Sequence, residues 1–160
     1  MILFLDYDGV LHPEDVYLMN GRPTLKDGGE LFQWAPILAD TLAPFAEVKI
    51  ILSTSWVRVR GFNRSKRALP FEIAKRVIGA TWRTEFRHTG FEDTTRYNQI
   101  AGHAIRARLP YWIAIDDDGE GWPETARDRL VRTNGRLGLS DSGVVRDLQE
   151  KLRRLTAGEY

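Results

Sequence analysis

Three short apolar runs in this chain stop abruptly at polar or acidic residues, and this pattern restricts the fold more than any other feature. Met1 to Leu5 halts at Asp6, Val48 to Leu52 at Ser53-Thr54-Ser55, and Tyr111 to Ile115 at Asp116-Asp117-Asp118. The first is continuous rather than alternating, as expected of a strand buried on both faces, the second is short and rich in β-branched residues, and the third reads as another buried strand. Val77 to Thr81, broken by Gly79, and Leu130 to Arg132 are weaker strand candidates. Between the runs the spacing turns helical. Leu31, Trp34, Leu38 and Leu42 define a helix from about Leu31 to Ala43, with Pro36 tolerated only in its first turn. Phe71 to Arg76 reads as a short helix after Pro70. Thr94 or Thr95 caps a helix carrying Tyr97, Ile100, Ala101, Ala104 and Ile105, which ends before Pro110. Ser140 or Asp141 caps a final helix with Val144, Val145, Leu148, Leu152 and Leu155 on one face.

Strands alternating with helices imply an α/β fold: a parallel sheet reached by right-handed crossovers and covered on both faces. Ligands of such sheets bind beyond the carboxyl ends of the strands, so the polar clusters after the three buried runs should meet at one edge. The 160 residues suit one domain, 1–160, with an arginine-rich insertion around 57–93. No apolar run approaches the roughly 20 residues of a membrane span, and Asp6 follows the apolar start too soon for a signal peptide, so a cytoplasmic location is expected. Zero cysteines exclude disulfides, thiolate zinc sites and a cysteine nucleophile, leaving oxygen or imidazole as metal ligands.

The net charge of +1 hides a lopsided distribution. Residues 1–47 carry a net charge of −6 and residues 57–88 a net charge of +7. Acidic and basic sections in one small domain suit a cation and a phosphate bound side by side; the plainer reading is a solvated charged face.

Asp6-Tyr7-Asp8-Gly9 is the sharpest local signal. Two carboxylates two residues apart past a strand end can point into one site, and Gly9 permits the tight turn. Alone, such a pair is often a turn or cap. The second acidic cluster, Asp116 to Asp118, changes that reading, because carboxylates crowded in one cleft repel each other unless a cation sits among them. Oxygen-only ligands point to Mg²⁺.

These segments resemble the motifs of the haloacid dehalogenase-like (HAD) hydrolases. Leu3-Phe4-Leu5-Asp6-Tyr7-Asp8-Gly9-Val10-Leu11 is similar to the family's first motif, Ile50-Ile51-Leu52-Ser53 to the second, and Ile113-Ala114-Ile115-Asp116-Asp117 to the fourth. Ser53-Thr54-Ser55-Trp56 and Gly138-Leu139-Ser140 are further similar to a compact bacterial subgroup associated with RNA-repair proteins. The resemblance implies a HAD-like, Rossmann-like three-layer sandwich with minimal or no cap. It also implies a Mg²⁺-dependent phosphatase working through an aspartyl-phosphate, with Asp6 as nucleophile. Asp8 would donate a proton to the leaving oxygen and later remove one from water. Asp6, the backbone carbonyl of Asp8, and Asp116 would hold the metal, with Asp117 a direct or water-mediated ligand and Asp118 the alternative. Ser53 would offer a hydroxyl to the phosphate, or Thr54 if the strand ends one residue later; otherwise Ser53 is a turn residue. Arg96, at the start of a predicted helix, stands where the family's third-motif cation is expected and departs from the commoner Lys; its competing reading is an exposed helix arginine. His12, His88 and His103 read as structural or exposed, and only His12 lies near the first motif.

The expected substrate is a phosphorylated small molecule or a nucleic-acid end. For the latter, the arginines of 57–88 would grip backbone phosphates while Trp56, Phe62, Trp82 or Phe86 stacks on bases. A non-catalytic phosphate-binding or regulatory module is the third reading. Oligomeric state is not legible.

Overall fold

The computed structural model of the chain describes residues 1–86 and 90–160. Its centre is β1 (Ile2–Leu5), which pairs in parallel with β4 (Lys49–Leu52) on one side and β6 (Trp112–Asp116) on the other. β5 (Val77–Ala80) extends the sheet beyond β4 and β7 (Leu130–Arg132) beyond β6, giving the order β5-β4-β1-β6-β7 with every pair parallel. Both weak strand candidates therefore form, and they form at the edges, where less burial is demanded of them. β4 and β5 shift register between Ile50 and Ile51, close to Gly79.

Side-chain alternation along β1 divides the core. Leu3 and Leu5 face a cluster with Leu38 and Leu42 of α1 (Ala35–Leu42) and Leu148, Leu152 and Leu155 of α6 (Ser142–Ala157). Ile2 and Phe4 face the opposite cluster, which holds Ile100 and Ala104 of α5 (Arg96–Arg106) together with Trp112 and Trp122. Burial on both faces is why β1 is apolar at every position. The expected three-layer sandwich is observed. Among the described residues no helix is long and apolar enough to cross a membrane.

The helix caps follow the sequence. Thr95 caps α5 by accepting from the Asn98 amide at 3.3 Å, and Asp141 caps α6 by accepting from Gly143 at 2.7 Å. α1 begins four residues later than the periodicity predicts, because Phe32 has φ +63°, outside the helical region, and Pro36 then falls in the first turn. Trp34 packs against the core without being helical.

Two features escaped the pattern reading. Residues 12–30 contain an antiparallel hairpin, β2 (Val16–Met19) with β3 (Arg22–Leu25), joined by Asn20-Gly21 at φ +51° and +75°. That dipeptide is the strongest short-range hairpin signal a sequence offers. The hairpin is the only regular structure between β1 and α1, so no cap domain interrupts the fold there. Ser55 to Ala68 forms two short helices, α2 (Ser55–Arg60) and α3 (Phe62–Ala68), divided at Gly61 with φ +83°; α4 (Phe71–Ala74) then leads into β5.

Several cations of the basic section serve the fold itself. Arg76 donates to the carbonyls of Leu42, Phe45 and Val48, closing the C-terminal end of α1, and Lys66 donates to Val77 at 2.8 Å. Arg58 pairs with Glu92 at 3.0 Å and Lys75 with Glu72. Arg60 and Arg64 have no ionic partner among the described residues. Arg87 and His88 lie outside those residues.

Fully buried Tyr7 ties the first motif to α3, its hydroxyl donating to the Ser65 carbonyl at 3.1 Å across 58 residues of chain. Tyr7→Phe keeps the ring and leaves that carbonyl without its donor, so urea unfolding should give a stability loss of about 1–2 kcal/mol. An unchanged midpoint would mean that the bond contributes nothing net.

Candidate active site

The register of the sheet builds the site. Leu5 lies level with Leu52 of β4 and Ile115 of β6, so the next residues, Asp6, Ser53 and Asp116, emerge side by side at one sheet edge. The convergence expected of the three polar clusters is thus a direct result of strand pairing. Asp6 is 4% exposed and Asp116 is fully buried, while Asp117 is half-buried. One carboxylate oxygen from each of Asp6, Asp116 and Asp117 lies within 4.8 Å of the others. Asp118 is exposed, and its amide donates to Asp116 Oδ1 at 3.1 Å.

Burial makes this cluster costly as three anions. It raises the pKa of Asp6, with repulsion from Asp8 adding to the effect and Arg96 opposing it. Asp116 is raised well above the usual carboxylate range by burial and then by Asp6. Burial and the charge of Asp6 push Asp117 up to about 6. The countercharge is Arg96, the first residue of α5, whose side chain is 18% exposed. Its Nη2 lies 3.7 Å from Asp6 Oδ2 and its Nε 3.0 Å from Asp116 Oδ2, and Nη1 donates to the Ser53 carbonyl. Burial pulls the guanidinium pKa down, but Asp6 and Asp116 outweigh this and raise it. An exposed helix arginine would not sit in this position.

A divalent cation fits the residues present. The donors are all carboxylate oxygens, as hard cations require. Asp116 Oδ2 is close to Arg96 Nε but misaligned with its N–H, so it accepts no hydrogen bond and stays buried without one. Gly9 completes the cradle. With φ +70°, it passes so close to Asp117 that an added Cβ would stand 2.5 Å from Oδ2. Its carbonyl is fixed by the Thr133 hydroxyl at 2.7 Å.

Asp8 sits apart from this cluster. Its carboxylate accepts from Trp56 Nε1, at 2.9 Å on Oδ1 and 3.1 Å on Oδ2, and lies 3.0 Å from His12 Nε2. The Phe32 amide donates to His12 Nδ1, which fixes the tautomer: Nδ1 is the acceptor and Nε2 carries the hydrogen donated to Asp8. Oδ1 therefore receives two donors and Oδ2 only a shared one. His12 is fully buried and Trp56 nearly so; they hold Asp8 rather than facing solvent. The i, i+4 spacing of Asp8 and His12 is the available signal for one of them, whereas Trp56 reads from the sequence as part of the Ser53-Thr54-Ser55-Trp56 stretch and as a base-stacking candidate, not as a partner of Asp8. His103 is buried against Phe4, with its pKa lowered by burial and by Arg106 and Arg83.

The two hydroxyl candidates differ. Ser53 Oγ is fully buried without a hydrogen-bond partner. Thr54 caps α2 by accepting from the Trp56 amide at 3.3 Å and lines an open cavity of about 350 Å³ with Arg96. Of the other aromatic candidates, Phe62 and Trp82 are half-buried against the core, and Phe86 stacks on Phe91 at 5.1 Å.

Comparison with known families brings a match over nearly all of this architecture: the model of the HAD domain in Swiss Army Knife RNA repair proteins spans residues 2–144, from β1 into the first turn of α6. Comparisons with the curated proteins and with the solved structures each return no match. The matched stretch contains Asp6, Asp8, Ser53, Arg96, Asp116 and Asp117, in the strand contexts described above. The chain therefore belongs to the family of HAD domains found in Swiss Army Knife RNA repair proteins, within the haloacid dehalogenase-like hydrolase superfamily.

Proposed function

We propose that the protein is a Mg²⁺-dependent phosphatase that removes a phosphomonoester from the end of a nucleic acid through an aspartyl-phosphate. The observation that carries this reading is the placement of Asp6 on the central strand, within reach of Asp116, Asp117 and Arg96 at once. The RNA-repair family, together with Arg60 and Arg64, which have no ionic partner among the described residues, supports a polynucleotide substrate over a small metabolite. A phosphate-binding module without turnover would have no use for Asp8, whose carboxylate is held by two buried donors.

Asp6, Asp116, Asp117 and the Asp8 carbonyl would hold the cation, which when bound screens the repulsion between an anionic attacker and an anionic phosphate. Arg96 and the Thr54 or Ser53 hydroxyl bind the non-bridging phosphate oxygens. Asp6 attacks phosphorus as the bond to the leaving oxygen breaks, and that oxygen takes a proton from Asp8. Oδ2 is the oxygen with spare capacity, since Oδ1 is occupied by Trp56 and His12. In the second half, Asp8 Oδ2 takes a proton from water, the water oxygen bonds to phosphorus, and Asp6 leaves as a free carboxylate with inorganic phosphate.

Asp6→Asn should abolish phosphate release from an end-phosphorylated oligoribonucleotide and leave the fold intact, because the amide is isosteric but does not attack phosphorus. Turnover above a few per cent of wild type would remove Asp6 from the role.

Metal dependence should be visible in stability as well as rate. Asp117 has a raised pKa in the folded state, so its favourable contribution to metal-free stability is present at low pH and lost as pH rises through about 6. In EDTA the unfolding midpoint should therefore climb as pH falls from 7 to 5, and Asp117→Asn should flatten that climb. Mg²⁺ at pH 7 should raise the wild-type midpoint and restore activity, whereas Ca²⁺, with its longer and looser coordination, should restore activity poorly. Equal activity with Ca²⁺, or no Mg²⁺ effect on the midpoint, would contradict this account.

Arg96→Ala should lower kcat by roughly 10²- to 10³-fold, the scale of losing one preorganised electrostatic contact, and Arg96→Lys should recover much of that loss. Arg106→Ala, an exposed position on the same helix, is the control. Near-normal kinetics for Arg96→Ala would move the phosphate-binding cation elsewhere.

A further inference from the structure

Two cavities flank the site, and their chemistry differs. The larger, on the Arg96 side, is rimmed by Glu92, Asp93, Asp118 and Glu120; of its two cations, Arg58 is paired with Glu92 and Arg96 with Asp6 and Asp116. A wall of that sign repels a polyanion. The smaller, about 140 Å³, lies between the hairpin and α2 and is lined by Asp8, Tyr17, Leu18, Pro23, Trp56, Val59 and Arg60. Tyr17, Leu18 and Val59 are 45%, 57% and 57% exposed, which is unusual for large apolar side chains gathered in one place. Arg60 lies 5.4 Å from the centre of the Trp56 ring and has no ionic partner among the described residues.

We infer that the hairpin cavity is the subsite for the terminal nucleoside of the phosphorylated strand, with the base against Tyr17 and the next phosphate at Arg60. The inference rests on the phosphatase reading, because Asp8 gives its proton to the leaving oxygen and whatever that oxygen is attached to must emerge on the Asp8 side. The cavity is smaller than the roughly 300–1,000 Å³ of sites that enclose a drug-sized ligand, so it takes one flat ring and leaves the rest of the ligand on the surface. A strand end meets that description: one base is held by stacking, which tolerates any sequence, and the backbone continues over the α2–α3 arm past exposed Arg64. An acidic or purely apolar peptide would leave unused either the small cavity or Arg60, which has no ionic partner among the described residues.

The test uses the full chain carrying Asp6→Asn, so that the probe is bound and not consumed, and fluorescence anisotropy with a labelled, end-phosphorylated oligoribonucleotide of six nucleotides. Both 5′- and 3′-phosphorylated forms are used, each with an intact or an abasic terminal nucleotide. Adding Tyr17→Ala should raise Kd about tenfold for the intact probe. The abasic probe should lose about the same factor against the parent and nothing further against Tyr17→Ala, since both changes remove one contact. Glu92→Gln, on the other cavity, should leave Kd unchanged or tighten it. The inference is overturned if Tyr17→Ala leaves Kd unaltered, if the two losses multiply instead of coinciding, or if neither probe binds. The phosphatase reading is judged separately, by phosphate release from the same intact probes with the wild-type chain.

Discussion

The acidic cluster at the sheet edge depends on the contact of Arg96 with Asp6 and Asp116. The sheet register forces these two carboxylates to emerge together from neighbouring buried strands, where burial and mutual repulsion both oppose ionisation. A guanidinium reaching both carboxylates from the first turn of α5 makes the arrangement tolerable in a metal-free chain. It is also a compromise. The Nε contact with Asp116 is close but misaligned, so attraction is obtained without consuming the oxygen's hydrogen-bonding capacity. A buried charge left partly unsatisfied in this way is costly to stability and useful to a cation that replaces water with carboxylate oxygen.

Arg96 can do this because of structure far from the cluster. Thr95 caps α5 and fixes where its first turn begins, and the Ser53 carbonyl at the end of β4 receives the guanidinium. Ile100 and Ala104, on the same helix, anchor it against Phe4 and Trp112. The position of one cation is thus set by a cap, a strand end and a patch of core. Asp8 is positioned by a separate device: the Phe32 amide sets the His12 tautomer, and His12 with Trp56 sets the carboxylate. Phe32, which presents that amide, has φ +63°, outside the helical region, and α1 starts after it.

Strand ends were legible in the sequence because burial stops sharply there: Asp6 follows Ile2 to Leu5, Ser53 follows Ile50 to Leu52, and Asp116 follows Trp112 to Ile115, each an apolar stretch. The cation was legible mainly through the resemblance, since an arginine directly after a threonine pair reads equally well as solvent-facing. His12 and Trp56 were not legible as partners of Asp8, because the pairing of Asp8 with Trp56 spans 48 residues and arises only when α2 folds back over the first motif. The hairpin had a clear local signal in Asn20-Gly21. It was obscured because Tyr17, Leu18 and Met19 break strict alternation and lie exposed, a pattern that serves no core.

That last irregularity carries the argument about specificity. A surface strand of a small domain usually alternates so that its apolar face is covered, and one that does not either aggregates or binds. Here Tyr17 and Leu18 of β2 gather beside Asp8, whose carboxylate lies outside the cluster of Asp6, Asp116 and Asp117, and beside Arg60, which has no ionic partner among the described residues. The acidic rim across the site presents the reverse chemistry. The two flanks thus distinguish the directions in which a substrate can extend. On the proposed phosphatase reading, the cluster of Asp6, Asp116 and Asp117 would set where the phosphorus lies, and the contrast between hairpin and rim would set which side the remainder of the molecule occupies.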